Sequence, residues 1–225
     1  MLINAEFSCR AALAPEHYQW VQSPQNGVER VMLDRVGAEK ARATSIVRYA
    51  PESNFPHHLH PGGEEILVLS GTFSADNSDY PAGWYLRNPP TSGHQPYSHE
   101  GAVIFVKLWQ MTVDETRHVA IDTNDTDNWQ EQGGREVCYL YSDTKEQVSL
   151  QRINAGEALF TDIIVGGAEL LVLEGTLIEA GQSYQRGGWI RLPVDAISQV
   201  TAGENGATVY LKTGHLSQII GIDVH

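Results

Sequence analysis

Two cysteines, Cys9 and Cys138, are all that this chain of 225 residues contains. Two thiols so far apart make no disulfide framework and no Cys-x-x-Cys zinc pair. Long apolar runs are also missing. The longest stretches, such as Ile66–Leu69 and Ala102–Val106, are far too short to cross a bilayer, so no membrane partner is expected. The first residues, MLINAEFSCRAALAPEHYQW, show no basic segment followed by an apolar one, which predicts no signal peptide. Positive charge is scarce, with 15 Lys and Arg against 28 Asp and Glu and a formal net charge of −13. Such a chain repels phosphate backbones, and no basic run offsets this, so nucleic acid is not an expected partner. These absences together predict a soluble protein of a reducing compartment, the cytoplasm. Helical periodicity is weak throughout; the best short candidates lie around 9–20 and 114–119.

What is present is β structure. Hydrophobic residues make up 41% of the chain, enough for a core, and 21 Gly and 10 Pro punctuate it. Between these breaks run ATSIVRY (43–49), EILVLSGTF (65–73), WYLRNP (84–89) and AVIFVKLW (102–109). Short β-branched and aromatic runs separated by Gly, Pro, Asn and Ser predict an all-β sandwich or barrel.

The chain also repeats itself. EEILVLSGTF at 64–73 matches AELLVLEGTL at 168–177, a shift of 104. The same shift pairs Arg48 with Arg152, Tyr80 with Tyr184, Gly83 with Gly187, Arg87 with Arg191 and Pro89 with Pro193. With one extra residue, AVIFVK (102–107) falls on ATVYLK (207–212). Register kept over so many residues predicts two β units of one architecture, at 26–112 and 131–225. An N-terminal segment, 1–25, would belong to neither. A polar linker is expected at 113–130, where TNDTDNWQEQGG begins. Two such units can pack together or share strands, either of which hides exposed edges. Self-association into a homo-oligomer stays open.

The densest chemistry is HHLHPGGEE, residues 57–65, with three histidines and two glutamates. Alternate residues of a strand face the same way, so His58 and His60 share a face with Leu59 on the other. Pro61-Gly62-Gly63 turns the chain and brings Glu64 close to that face. Two imidazoles and a carboxylate suit one divalent transition metal: zinc, iron, manganese or nickel. His94 is the natural fourth ligand. The glycines of 61–63, and the side-chain-poor loop 88–93, would leave room for a small-molecule ligand or water at the metal. His57 should lie on the opposite face. Glu65 should point away from Glu64, towards a surface or interface. His99 reads as a loop residue, and His17, His118, His215 and His225 as structural or exposed. Tyr85, Arg87 and Tyr97 read as core rather than pocket lining.

The spacing His58-x-His60-x-x-x-Glu64, then Gly71, followed by Pro81, Gly83 and His94, resembles the two motifs of the cupin superfamily. Within it, residues 20–112 resemble the cupin domain of ChrR-type anti-sigma factors, and the second unit looks like a worn copy. The resemblance implies a double-stranded β-helix, a conical jelly-roll barrel in two tandem units. It implies His58, His60, Glu64 and His94 around one metal, zinc in the ChrR type. It also implies a regulatory or sensing role toward an oxidant or small molecule. The ChrR type carries in addition a helical zinc domain with a His-x-x-x-Cys-x-x-Cys motif that grips the sigma factor. Cys9 has no such companion here, so direct sigma-factor binding is not expected. Other cupins with three histidines and a glutamate are iron dioxygenases acting on small carbonyl compounds, and this is the alternative function. In the second unit the 104 shift places Asp162, Ile164, Ala168 and Ser198 at the four ligand positions. That set cannot hold a transition metal tightly, so the second unit should be metal-free, with a structural role or an apolar or acidic small ligand.

Overall fold

The structure is a computed structural model that describes residues 1–38 and 40–222. His225 lies outside them. The chain forms two compact units. The first comprises Met1–Ala5, Gln19–Asn124 and the stretch from Ile220; the second comprises Glu6–Tyr18 and Asp125–Ile219. Both are antiparallel β structures, and the only helical turns among the described residues are two 3-10 turns, Pro15–His17 and Thr126–Asn128.

In the first unit the main sheet runs Leu2–Ile3, Val28–Gly37, Ala41–Tyr49, Ala102–Leu108, Glu64–Ala75, Trp84–Asn88 and Val119–Asp122. The strand Glu64–Ala75 does double duty. Its first half pairs with Ala102–Leu108 and Trp84–Asn88, and its second half with Ser78–Pro81 and Pro96–Ser98. The strand therefore passes from one layer into the next. Gly71 lies between the two halves with φ 67°, and a Cβ there would stand 2.0 Å from the Gly101 carbonyl oxygen. Only glycine allows that backbone approach.

The second unit repeats the plan. Its sheet runs Trp129–Gln132, Arg135–Ser142, Gln147–Ile153, Thr201–Thr213, Ala168–Glu179, Trp189–Leu192 and Ala11–Leu13. The long strand Ala168–Glu179 is Glu64–Ala75 moved by 104 residues, and Gly175, with φ 68°, repeats Gly71. Each unit has its own apolar cluster. Val28, Ile66, Val68, Phe73, Leu86, Ile104 and Val106 build the first, and Leu170, Val172, Leu177, Ile190, Val209 and Leu211 the second.

The boundaries differ from those expected. Residues 1–25 do not stand apart: Leu2–Ile3 pairs with Val28–Gly37, and Ala11–Leu13 pairs with Trp189–Leu192. The stretch 113–130 is not a bare linker, since Val119–Asp122 pairs with Trp84–Asn88 and Trp129 opens the second sheet. The edge strands Ala11–Leu13 and Val119–Asp122 are apolar but only three and four residues long, too short for a period to show, and each pairs with a strand distant in sequence. The weak helical pattern at 9–20 resolves into a strand and one 3-10 turn, and 114–119 holds no helix.

Glu65 is another departure. It points away from Glu64 as expected, but it is buried, not at the surface. Arg87 Nη1 lies 3.3 Å from its carboxylate. Lys107, the cross-strand neighbour of Glu65, donates to Thr44 Oγ1 at 3.0 Å. The same trio recurs as Glu169, Arg191 and Lys212, adjacent on the corresponding strands. Both faces of the main sheets are therefore buried, which is why their strands read as continuous apolar runs rather than clean alternation. Tyr85 and Arg87 sit on this same face, away from Glu64, and Tyr97 stacks near His99 at 5.2 Å.

The glycine corners allow a direct test within one unit. Gly175 and Gly181 both have positive φ, but a Cβ on Gly175 would be 2.2 Å from the Gly206 carbonyl oxygen, while nothing lies within 4 Å of one on Gly181. Gly181→Ala should cost about 1–2 kcal/mol from backbone conformation alone. Gly175→Ala should cost a further ~1–3 kcal/mol through overpacking. Denaturant unfolding of the two variants measures the gap; equal losses would show that the close approach is relieved at no cost.

Candidate metal centre

His58, His60, Glu64 and His94 converge in the first unit, with their ligand atoms all within 4.8 Å of one another. Among the described residues it is the one group of three or more such side chains that could hold an ion. Local pairing explains the convergence. The short strand His58–Leu59 pairs with Gly93–His94, and His94 stands directly opposite His58. Opposed residues in an antiparallel pair carry their Cβ atoms about 4.5–5.5 Å apart. His60 follows at the turn, where its amide donates to the Ser92 carbonyl at 2.8 Å and its carbonyl accepts from Thr91 and Gly63. Glu64 then opens the long strand. The three rings stand edge to face, with centroids 4.9 Å (His58–His60), 5.1 Å (His58–His94) and 4.5 Å (His60–His94) apart.

Hydrogen bonds around the cluster aim the donor atoms inward. His58 Nδ1 lies 3.1 Å from the Pro56 carbonyl oxygen, which can only accept. The proton therefore sits on Nδ1, and the Nε2 lone pair is left for a metal. His60 Nδ1 contacts Ser92 Oγ at 3.3 Å, and its buried Nε2 has no hydrogen-bond partner. Asn88, opposite Glu64 on the next strand, donates from Nδ2 to Glu64 Oε2 at 3.1 Å. That oxygen lies 3.5 Å from both His60 Nε2 and His94 Nε2. Two ligands bound at ~2.1 Å with a tetrahedral angle between them stand roughly 3.4 Å apart, so these separations match a shared ion.

Burial sets the charge state. It pushes His60 down to about 3, helped by the neighbouring His94 and His58, and His94 down to about 4. It pushes Glu64 up to about 7, against the Asn88 hydrogen bond. The 3.5 Å contacts are therefore not ion pairs: burial holds the rings neutral and favours a protonated carboxyl. Three neutral or near-neutral donors, one of them the buried His60 Nε2 with no hydrogen-bond partner, make a poor structural cluster and a good ligand set, because a dication would satisfy them together. The donor chemistry fits a borderline divalent ion.

His57 is exposed, as its neighbour's strand face requires, and His99 is exposed beside Glu52 at 3.4 Å. His17 and His118 are exposed, while His215 is buried with Nε2 3.5 Å from Glu169 Oε2. The glycines beside the cluster do not leave the open space expected of them. A Cβ on Gly62 would be 2.6 Å from the Trp109 ring, one on Gly63 2.4 Å from Met111 Sδ, and one on Gly93 2.6 Å from the His58 carbonyl oxygen. They admit protein, not solvent. Access comes instead through a cavity of about 210 Å³, lined by His58, His60 and Glu64 together with residues from the inward faces of Val28–Gly37, Ala41–Tyr49 and Ala102–Leu108. Sequence reasoning missed that wall and Asn88. On Ala41–Tyr49 the alternate residues Ser45, Val47 and Tyr49 line it, but they read as core until the barrel is closed, and Val28–Gly37 shows no alternation because a bulge interrupts it.

In the second unit the four equivalent positions hold no such set. Ile164 and Ala168 are buried in the apolar cluster, Asp162 is exposed and bonds Thr161, and Ser198 donates to Glu179 at 3.1 Å.

Antiparallel sheets folded into tandem barrels, with a His and Glu cluster in the first, define a member of the cupin superfamily. The chain belongs, more narrowly, to the ChrR Cupin-like domain family, whose profile matches residues 8–112 and again 116–217. Among curated protein sequences none is significantly similar. Solved structures share the fold at low identity. A proposed dioxygenase from Nostoc punctiforme matches with a TM-score of 0.71 and 13% identity over 97% of this chain and 84% of that one. A bacterial pirin from Escherichia coli in complex with nickel(II) gives 0.68 and 12% over 91% and 98%. A cupin 2 conserved barrel domain protein from Leptotrichia buccalis gives 0.59 and 14% over 86% and 92%.

Two outcomes test the cluster. Purified protein should carry one metal equivalent per chain; His60→Ala should lose it, and His57→Ala should keep it. Elemental analysis showing equal metal in both variants would refute the ligand assignment. The second outcome concerns pH. Below about 7 the Glu64 carboxyl carries a proton that an incoming cation must expel, so affinity should rise with pH up to that point. Between about pH 5 and 7, His60 and His94 are already neutral and add no slope. Glu64→Gln should therefore reduce the pH slope of metal affinity by about one proton in a competition titration.

Proposed function

We propose that the first unit holds one divalent transition metal through His58, His60, Glu64 and His94, and that the chain works as a metal-dependent sensing module for a small molecule or oxidant. The observation that carries this reading is the cavity that reaches three of the four donor residues. A purely structural ion needs no such approach. Bound there, the ion would supply Lewis acidity and open coordination positions. The chain's own part is positional: Pro56 sets the His58 tautomer, Asn88 orients the Glu64 carboxylate, and the aliphatic wall keeps bulk water from the ligand side. Zinc is the metal that the ChrR resemblance favours; iron, manganese and nickel suit the same donors, and the nickel-bound pirin of the same fold is consistent with that breadth. The net charge of −13 supports a role without direct DNA binding, and among the described residues the only helical turns are two 3-10 turns.

A second reading is an iron-dependent dioxygenase acting on small carbonyl compounds, favoured by the aliphatic cavity wall beside the ligand cluster. The two separate in one experiment. Protein purified without added metal is analysed for metal and assayed for O₂ uptake with small diketones and hydroxyketones. We expect zinc and no uptake; bound iron with substrate-dependent uptake would replace the sensor with the enzyme.

A further inference from the structure

The cavity beside the ligand cluster holds two hydroxyls that the protein leaves unused. Both come from the strand Ala41–Tyr49. Its alternate residues Ser45, Val47 and Tyr49 face inward, paired across the ladder with Val106, Ile104 and Ala102, and all three line the cavity. Ser45 and Tyr49 are buried, at 5% and 8% exposure. Neither hydroxyl makes a hydrogen bond to any described residue, yet neither oxygen is sealed in protein, so both open onto the cavity. The Tyr49 ring is held in place by its faces and edges. It packs on Phe73 at 5.7 Å, edge to face, and on Phe55 at 6.2 Å. Phe73 in turn lies 5.9 Å from the His94 ring, and Phe55 5.6 Å from that of His58. The ring is therefore fixed close to the ligand cluster by contacts that leave its oxygen free.

The rest of the lining sets what can sit there. Val47, Ile104, Val106 and Leu108 make an aliphatic wall. Arg35 also reaches the cavity, because a bulge between Met32 and Asp34 shifts its strand, and so does Arg30; both are already engaged within the protein. No spare counter-charge is therefore at hand, and an ion carried into an aliphatic site without one costs far more than an uncharged group. A hydroxyl asks for no charge: it donates to a carbonyl or alcohol oxygen as it would to water. A mostly apolar hollow with a few convergent polar groups is the pattern of a small-molecule site. Its volume of about 210 Å³ suits a molecule of roughly six heavy atoms, since an apolar cavity of about 150 Å³ already takes benzene.

We propose that this cavity binds a short, uncharged aliphatic molecule bearing an alcohol or carbonyl oxygen, with the Tyr49 hydroxyl bonded to that oxygen and the aliphatic wall seating the carbon chain. This deepens the sensing reading by naming the ligand class and a residue that determines specificity, and it rests on that reading only for what the bound molecule does to the metal site.

The test uses the full-length protein, zinc-loaded and metal-free, in NMR titrations with 2-pentanone and 2-pentanol. The comparisons are 2-methyl-1-pentene, in which CH₂ replaces the carbonyl oxygen, and pentanoate, which adds a charge. Tyr49→Phe removes one oxygen and keeps the ring against Phe55 and Phe73. We expect both oxygenated probes to bind, and pentanoate to bind roughly tenfold more weakly or worse. Tyr49→Phe should lose about fivefold for the ketone, the ratio that one neutral hydrogen bond carries, and nothing for the alkene. Its thermal unfolding should match the parent. Ketone affinity untouched by Tyr49→Phe, pentanoate bound as tightly as the ketone, or no binding of either oxygenated probe at about 10 mM, which would leave the hydroxyls to water alone, would each overturn the proposal. Tyr49-dependent binding in a protein that takes up no metal would uphold it and remove the metal reading alone; one metal per chain with no bound ketone would do the reverse.

Discussion

The long strand Glu64–Ala75 is the constraint on which the first unit depends. It pairs with four other strands, two in each half. It can do so only by turning between layers at Gly71, where the Gly101 carbonyl occupies the space of a side chain. The ligand cluster hangs on its first residue. Glu64 is held opposite Asn88 and Leu108 by ladder pairing, and its carboxylate meets rings brought in by a separate two-stranded ribbon. Neither piece makes a site alone. The ribbon places His58 against His94, and the strand supplies the oxygen that both His60 and His94 face.

The two units show which parts of this plan are architectural and which are chemical. The long strand, the glycine corner and the buried trio of Glu65, Arg87 and Lys107 all recur in the second unit as Ala168–Glu179, Gly175 and Glu169, Arg191 and Lys212. A buried charge left without its partner costs several kcal/mol, so such a trio resists piecemeal change. The ligand set was under no such restraint. At the positions of His60 and Glu64 the second unit has Ile164 and Ala168, which belong to its apolar cluster. Trp189 even turns its indole N–H onto Glu169 at 2.8 Å, absorbing that carboxylate into the frame.

The burial that shapes the site also prepares it. A His and Glu cluster in water would be partly protonated and mutually screened near neutral pH. Here the surrounding sheet holds His60 and His94 neutral and raises Glu64 to about 7, so the lone pairs are available, and a cation bound there would displace the carboxyl proton to water. Hydrogen bonds from Asn88 and to Pro56 then fix which atoms face inward.

Much of this was legible in the residues alone. The all-β class follows from short β-branched runs between Gly and Pro. The duplication follows from a register of 104 residues, and the grouping of His58, His60 and Glu64 from the period-two geometry of one strand and its turn. These are local properties, set by a few consecutive residues. His94 could be nominated by resemblance, but its meeting with His58 is a strand pairing across 36 residues, which no local pattern encodes. The same limit explains the rest. The edge strands at Ala11–Leu13 and Val119–Asp122 are only three and four residues long, too short to show a period, and are recruited by backbone hydrogen bonds to partners distant in sequence. Gly62, Gly63 and Gly93 looked like open space, because the neighbours that fill it, such as Trp109, Met111 and the His58 carbonyl, arrive from other strands. Glu65 looked exposed because charge predicts surface until Arg87 is brought beside it. The arginine-bearing cavity is the plainest case: a single bulge decides whether Asp34 or Arg35 faces inward, and a bulge is settled by pairing with the neighbouring strand, not by the strand's own residues.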